Sequence, residues 1–323
     1  MKNRQYPHVL GLIFNRPQLM VPELMFEAVA FASSHLGLAI EGSPVQVRVG
    51  SAATVDSGDD GADDGADGSD GVAVISIAGP LVPRAGNVQM CSRMTSYESI
   101  GAQLDAAVAD PAITHIVLDV DSPGGAATGA FELADRIRAA NAIKPVSAIV
   151  NFQAFSGGYL LASAAGEVSV SQSSGAGSIG VIAQHLDVSK RNEDLGVKVT
   201  AVYRGAKKND LSPHEPLSDS SMATLNGMID NTYDQFCGYV AKHRGMDIKA
   251  VQATEAGLFF GQQAIDAGLA DRLETPQEAI NRIAGVAAAA KAAQLTAAPA
   301  FGMAASGQKV RMRAAAMQIK NSL

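Results

Sequence analysis

The chain has 323 residues, of which 47% are hydrophobic and 18% are charged, and its formal net charge is −7 at pH 7. This length and composition predict a globular protein with a full hydrophobic core and exclude a mostly disordered chain. The acidic balance lacks the basic surface of nucleic-acid-binding proteins, and two cysteines, Cys91 and Cys237, provide neither a disulfide framework nor a zinc pattern.

No stretch of the sequence is typical of a targeting signal or a membrane anchor. The apolar run at 9–14 is short and is followed by Asn-Arg-Pro, and the segment 26–40 contains Glu27 and His35. Both are too short to span a bilayer. We therefore expect a soluble, intracellular protein without a membrane partner.

The first 71 residues divide into two predicted segments. Residues 1–54 are predicted to be an N-terminal arm with one amphipathic helix near 22–32, which either docks on another subunit or protein or is a plain extra helix. Residues 55–71 contain seven aspartates and no large apolar residue after Val55, which predicts an acidic flexible linker. A calcium loop is the alternative, but no bidentate Glu or flanking helix pair accompanies it.

The central region, 72–278, is predicted to be one α/β domain with a largely parallel sheet, because strand patterns alternate with helix patterns. Residues 279–323 are predicted to form an Ala-rich tail, helical to about residue 295. Strands are predicted at 72–78, 113–120, 145–150, 168–170, 178–182 and 197–203, and helices at 96–110, 128–140, 188–195, 218–245 and 262–267.

Two glycine-rich turns follow predicted strands of this domain. Asp-Ser-Pro-Gly-Gly occupies 121–125, and Phe-Ser-Gly-Gly occupies 155–158. Ligands of parallel sheets gather at the carboxyl ends of the strands, so the two turns are expected to converge there. Ser156 lies at a strand-to-helix turn, which is a suitable position for a nucleophile.

A serine nucleophile needs a base, and the residues alone leave two kinds of candidate open, histidine and lysine. His185 and His214 are possible, whereas His243 lies in the last turn of a long helix, where a positive charge suits the dipole. Lys207 or Lys208 is the other possibility, since Ser–Lys pairs perform the same chemistry when burial keeps the lysine neutral.

Four motifs in one order resemble the signal-peptide-peptidase-A family of serine peptidases. They lie at 121–125, 155–162, 177–182 and 205–213, and the resemblance covers about residues 72–275. It implies a Clp-protease/crotonase-like fold with repeated β-β-α units. It also implies a Ser–Lys dyad and an ATP-independent endopeptidase that needs no cofactor, metal or nucleotide.

The resemblance assigns roles to individual residues. Ser156 matches the nucleophile and Lys208 the general base, while Ser178 matches the serine that orients the lysine ammonium. Gly125 and Gly157 match the backbone donors of the oxyanion hole. The His185-Leu-Asp187 triplet is interpreted as structural.

The opening residues 6–19 resemble the start of phage head-maturation (prohead) proteases of this family. This implies a homo-oligomer whose subunits complete each other's sites, acting in the host cytoplasm inside the assembling prohead. Its expected substrates and partners are scaffold and capsid proteins and the chain itself. The alternatives are a host cytoplasmic signal-peptide-degrading peptidase, a Ser156–His185 triad of Clp type, and a catalytically silent scaffold protein.

Overall fold

The computed structural model describes residues 14–36, 71–84 and 94–297. Most of the predicted linker, Cys91 and everything after residue 297 lie outside these ranges. The strands are β1 (Gln18–Met20), β2 (Val72–Ala78), β3 (Leu81–Val82), β4 (Thr95–Ser96), β5 (His115–Ser122), β6 (Gly124–Ala126), β7 (Val146–Phe155), β8 (Glu167–Val170), β9 (Gly175–Gly177), β10 (Leu258–Phe260) and β11 (Arg272–Leu273). The helices are α1 (Pro22–Leu36), α2 (Tyr97–Ala109), α3 (Ala130–Asn141), α4 (Gly157–Ser163), α5 (Ser189–Asp194), α6 (Asp219–Arg244), α7 (Ile248–Gln252), α8 (Gln262–Asp266) and α9 (Pro276–Ala297).

The larger of the two sheets in the described part of the chain has seven strands. Its path is β10-β9-β7-β5-β2, with β8 also beside β7 and β11 beside β8. All pairs are parallel except β9 with β10. The predicted α/β fold with a largely parallel sheet is therefore confirmed.

The central strands are apolar on both faces because both faces are covered. One face of β2 and β5 packs in the main core, which also contains buried residues of α2, α3 and α4. On the opposite face Val72, Val117 and Ile149 pack against α9 through Ala279, Ile283 and Ala287. The predicted boundary at 278 falls inside α9.

The smaller sheet has the order β1-β6-β3-β4 within the described residues. It lies at the carboxyl ends of the central strands, because β6 follows β5 directly and β3 follows β2. Its strand β1 comes from the predicted N-terminal arm and pairs antiparallel with β6. The arm therefore contributes a strand next to the first glycine turn.

The long helix α6 confirms the prediction over 218–245. Ser218 caps its first turn by accepting a hydrogen bond from Ser221 N at 3.2 Å, and Gly245 ends it with φ of 64°. A serine at the N-terminal end and a left-handed glycine at the C-terminal end are the residue types expected to cap a helix.

Three strand predictions differ from the structure by more than two residues. The predicted strand at 145–150 continues to Phe155, through a bulge at which Phe152 has φ of 88°. The prediction at 178–182 was wrong, because the strand ends at Gly177 and Ser178 has φ of 53°. The prediction at 197–203 was also wrong, because this segment forms no strand with any described part of the chain.

Candidate active site

Ser156 lies between β7 and α4 in a strained backbone conformation. Its φ is 53° and its ψ is −116°, a region that non-glycine residues rarely adopt. The turn is held on both sides: Ser156 N donates to Gly177 O at 2.8 Å, and Leu160 N donates to Ser156 O at 2.9 Å. Such strain often marks functional positions, where the surrounding structure enforces it.

The glycine after the turn allows α4 to approach the end of β5. A Cβ on Gly158 would lie 2.9 Å from Ser122 O, closer than real Cβ contacts. Ser122 in turn braces the first glycine turn, because its hydroxyl donates to Gly79 O at 2.7 Å and accepts from Gly124 N at 3.1 Å. The same serine thus contacts both turns.

The two glycine turns converge, as predicted from the parallel sheet. Gly157 N lies 3.0 Å from the position of a Cβ on Gly124, and Gly125 N lies 3.4 Å from the position of a Cβ on Gly157. Gly124 itself has φ of 98°, which a side chain would strain. The backbone N–H groups of Gly125 and Gly157 are therefore close together beside Ser156.

Strand β1 lies against both turns, which the sequence analysis did not anticipate. Leu19 pairs with Gly125, and its carbonyl oxygen fills the space that a Cβ on Gly124 would need. The same oxygen is 3.1 Å from the position of a Cβ on Gly157. No local pattern marks so short a strand, since it depends on distant partners.

The segment after β9 forms the other wall of the site. Ser156 Oγ donates to Gly180 O at 3.5 Å, a long hydrogen bond that leaves the hydroxyl weakly held. Ser178 is 7% exposed, and its N–H donates to Gly257 O at 2.8 Å. Its neighbour Gly177 accepts a hydrogen bond from Ser156 N, so Ser178 lies next to the backbone of Ser156.

Lys208 is exposed and does not join this group within the single chain. Its backbone N–H donates to Gly205 O at 3.0 Å, and among the described residues no hydrogen bond links its ammonium to Ser156 or Ser178. The neighbouring Lys207 donates from Nζ to Thr224 Oγ1 at 3.3 Å. The structure thus brings together Ser156, Ser178, Gly125 and Gly157, but not Lys208.

The histidines that could replace lysine as the base make other contacts. His185 Nδ1 is 2.9 Å from Asn15 Oδ1, while the Asp187 carboxylate accepts from Ser189 N at 2.8 Å. His214 Nδ1 is 3.1 Å from the Asn192 side chain on the surface. The contact of His185 therefore holds the N-terminal segment rather than forming a triad with Asp187.

His243 differs from its prediction as a helix-end cation. It is 7% exposed, and Nδ1 lies 3.1 Å from Ser163 Oγ on α4. Burial, with the nearby cations of Arg138 and Lys242, lowers the pKa of His243 to about 4. These effects outweigh the opposing Asp135 carboxylate, so the ring is neutral at pH 7.

The described residues hold no group of three or more His, Cys, Asp or Glu side chains arranged to bind a metal ion. Among the same residues no helix combines the length and apolarity needed to cross a membrane.

The chain matches one protein-family model and is similar to several known proteins. Residues 138–291 match the model described as Peptidase family S49. The chain is 38% identical over 285 residues to capsid assembly protease C of Escherichia phage lambda, covering 86% of this chain and 65% of that protein. It is 36% identical over 288 residues to head-tail preconnector protein GP5 of Enterobacteria phage P21, covering 87% and 58%.

A cellular protein is also similar. The "Putative signal peptide peptidase SppA" of Enterococcus faecium is 29% identical over 218 residues, covering 66% of this chain and 62% of that protein. The chain spans less than two thirds of the length of each of these three relatives.

Proposed function

Since the chain contains a peptidase family S49 domain, matched over residues 138–291, whose fold is Clp-protease/crotonase-like, we propose that this chain is a serine endopeptidase with a Ser156–Lys208 dyad. The observation that carries the proposal is the strained turn of Ser156 beside two converging glycine backbones. A hydroxyl in this position lies near backbone N–H groups that can stabilise an oxyanion.

In the proposed reaction the neutral Lys208 amine removes the proton from Ser156 Oγ as that oxygen attacks the substrate carbonyl. The N–H groups of Gly125 and Gly157 donate to the oxyanion, an effect worth about 3–4 kcal/mol per donor in a comparable protease. The lysine then passes the proton to the leaving amine, and water hydrolyses the acyl-enzyme. Ser178 orients the lysine ammonium, and no metal or nucleotide takes part.

The exposure of Lys208 supports a dyad completed between subunits. A lysine acts as a base only when burial keeps it neutral, so Lys208 has to enter a drier environment than its own chain provides. The segment before it is apolar yet uncovered, with Leu195 64%, Val199 47% and Val202 87% exposed. We therefore propose a homo-oligomer in which this segment packs on a neighbour and delivers Lys208 to the neighbour's Ser156.

The similarity to capsid assembly protease C supports a role in phage capsid assembly. We propose that the protein cleaves scaffold protein and itself, in the host cytoplasm inside the assembling prohead, with capsid proteins as partners. A host signal-peptide-degrading peptidase remains the second candidate, supported by the weaker similarity to the Enterococcus protein. A catalytically silent assembly protein of the same fold is the third.

The test compares self-processing in the wild type, Ser156→Ala and Lys208→Ala, each measured by mass spectrometry of the whole chain. We expect only the wild type to shorten itself or a co-expressed scaffold. Lys207→Ala is the matched control, because it removes a neighbouring ammonium outside the proposed dyad, and it should process normally. Equal processing in all variants would refute the dyad, whereas no processing in the wild type would favour the silent protein.

A mixing experiment tests whether the dyad forms between subunits. If Lys208 serves a neighbour, co-expressed Ser156→Ala and Lys208→Ala chains will pair an intact serine with an intact lysine in some sites. Partial recovery of processing is then expected. Loss of activity in His185→Ala but not in Lys208→Ala would instead establish the histidine triad.

A further inference from the structure

The N-terminal segment lies where an extended peptide would enter the proposed peptidase site. Gln18 exchanges two backbone hydrogen bonds with Ile182, N to O at 2.8 Å and O to N at 3.1 Å. Backbone groups of a strand face alternate sides, so the amide and carbonyl of Leu19 face β6, where Leu19 pairs with Gly125. β1 is thus held between β6 on one side and the segment after β9 on the other, as the middle strand of a three-stranded arrangement.

The Leu19 carbonyl lies at the proposed oxyanion donors. Its oxygen is next to Gly124 and 3.1 Å from the position of a Cβ on Gly157. Gly157 follows Ser156 directly, and the Ser156 hydroxyl donates to Gly180 O, two residues before Ile182. The Leu19 carbonyl therefore lies beside the N–H groups that would bind the carbonyl oxygen of a cleavable residue.

The Leu19 side chain is buried as a bound residue would be. It is 0% exposed and belongs to the main core, and its Cβ lies 3.4 Å from the position of a Cβ on Gly157. The segment is also fastened at its start: Asn15 N donates to Gln184 O at 2.9 Å, and Asn15 Nδ2 donates to Leu211 O at 3.1 Å. The second bond ties the segment to the turn that carries Lys208.

We propose that β1 is a built-in occupant of the substrate groove, and that it inhibits the peptidase until it is displaced. This inference rests on the proposed function of Ser156. A substrate would replace β1 as an extended peptide running antiparallel to Gly124–Ala126, with an apolar residue of about the size of leucine in place of Leu19. Displacement would also release the Asn15 contact to the Lys208 turn.

The first test measures how fast a fluorophosphonate reagent labels Ser156, with Ser156→Ala as the background. The Ser156 oxygen forms a bond to phosphorus, fluoride leaves, and the hydroxyl proton goes to the base. Leu19→Asp removes the apolar anchor, and Leu19→Met keeps it as the matched control. The labelling rate follows the fraction of open molecules, so we expect roughly a tenfold or greater increase in Leu19→Asp alone.

An engineered disulfide that fastens β1 reversibly in the groove, called the lock below, keeps the proposal testable if Leu19→Asp fails to fold. Gln18→Cys with Ile182→Cys joins a hydrogen-bonded antiparallel pair, whose Cα separation of about 5.5 Å suits a disulfide. Cys91→Ser in the same chain prevents mispairing. We expect the oxidised protein to lose labelling and the reduced protein to regain it.

A peptide with the sequence of residues 14–22 should slow labelling of Leu19→Asp, whereas the same peptide with Asp in place of Leu should not. Two failures are distinguishable. Equal labelling of the wild type, Leu19→Asp and the oxidised lock would overturn the occupied groove and leave the nucleophile intact. An absence of labelling in every form would overturn the proposed nucleophile, and the inference with it.

Discussion

Ser156 carries backbone strain that a glycine would not carry. With φ of 53° and ψ of −116°, the Ser156 side chain is held in a region where a Cβ is unfavourable by about 1–3 kcal/mol. Hydrogen bonds to Gly177 and from Leu160 keep the turn in place. The protein therefore spends some stability on presenting this hydroxyl.

We expect Ser156→Gly to be more stable than Ser156→Ala, although both lack the hydroxyl. Glycine relieves the strain but adds chain entropy to the unfolded state, so the net gain should be about 1 kcal/mol. Urea unfolding of the two variants measures the difference. Equal stabilities, or a more stable alanine variant, would show that the turn is not strained by its side chain.

At the scale of elements, His243 joins α6 to α4. The Ser163 hydroxyl already donates to Leu160 O at 2.8 Å, so His243 donates from Nδ1 to that hydroxyl. The ring also packs edge-on against Tyr239, with 5.6 Å between ring centroids. Both contacts suit a neutral imidazole.

We expect this contact to make folding depend on pH. The pKa of His243 is lowered from 6.5 to about 4 in the folded protein, so between these values the unfolded chain binds more protons. Stability is then fully present above pH 6.5 and falls, by at most about 3 kcal/mol, as the pH decreases towards 4.

The measurement is the unfolding free energy at pH 7.5 and 5.0 for the wild type and His243→Asn, whose amide can still donate to Ser163. The variant should lose less stability on acidification. His115, whose pKa burial also lowers, is present in both proteins and cancels in the comparison. The same pH slope in both proteins would contradict the prediction.

Elements with strong local signals were predictable from the sequence. Strand β2 has the predicted bounds, and α6 has a capping serine and a terminal glycine that fix its ends. The wrong predictions have non-local causes. Apolar residues at 197–203 pair with no strand of the described chain, and the turn at Ser178 depends on its bond to Gly257.

In the candidate site, too, some features could be predicted from the sequence, and those that depend on distant contacts could not. The convergence of the two glycine turns could be predicted, because it follows from the order of parallel strands. The presence of β1 could not, since Gln18–Met20 becomes a strand only through Gly125 and Ile182. The roles of Ser156, Lys208 and Ser178 remain predictions.

At the scale of the whole molecule, the uncovered apolar segment before Lys208 predicts assembly. Val199→Asp with Val202→Asp places charge on the proposed interface, whereas Val286→Asp charges a similarly exposed valine on α9 (54% exposed). We expect the double variant alone to sediment as a 33.2 kDa monomer and to lose processing. A monomeric wild type, or an unchanged oligomer in the double variant, would contradict the interface.

Helix α9 limits where the chain could be trimmed. Because Ala279, Ile283 and Ala287 seal the outer face of the central strands, cutting within this helix would open Val72 and Val117 to water. If the protein shortens its own C-terminal end, as proposed, the product must therefore keep α9 through Ala287 to remain folded. Cleavage products that end before Ala287 are expected to be degradation fragments rather than working subunits.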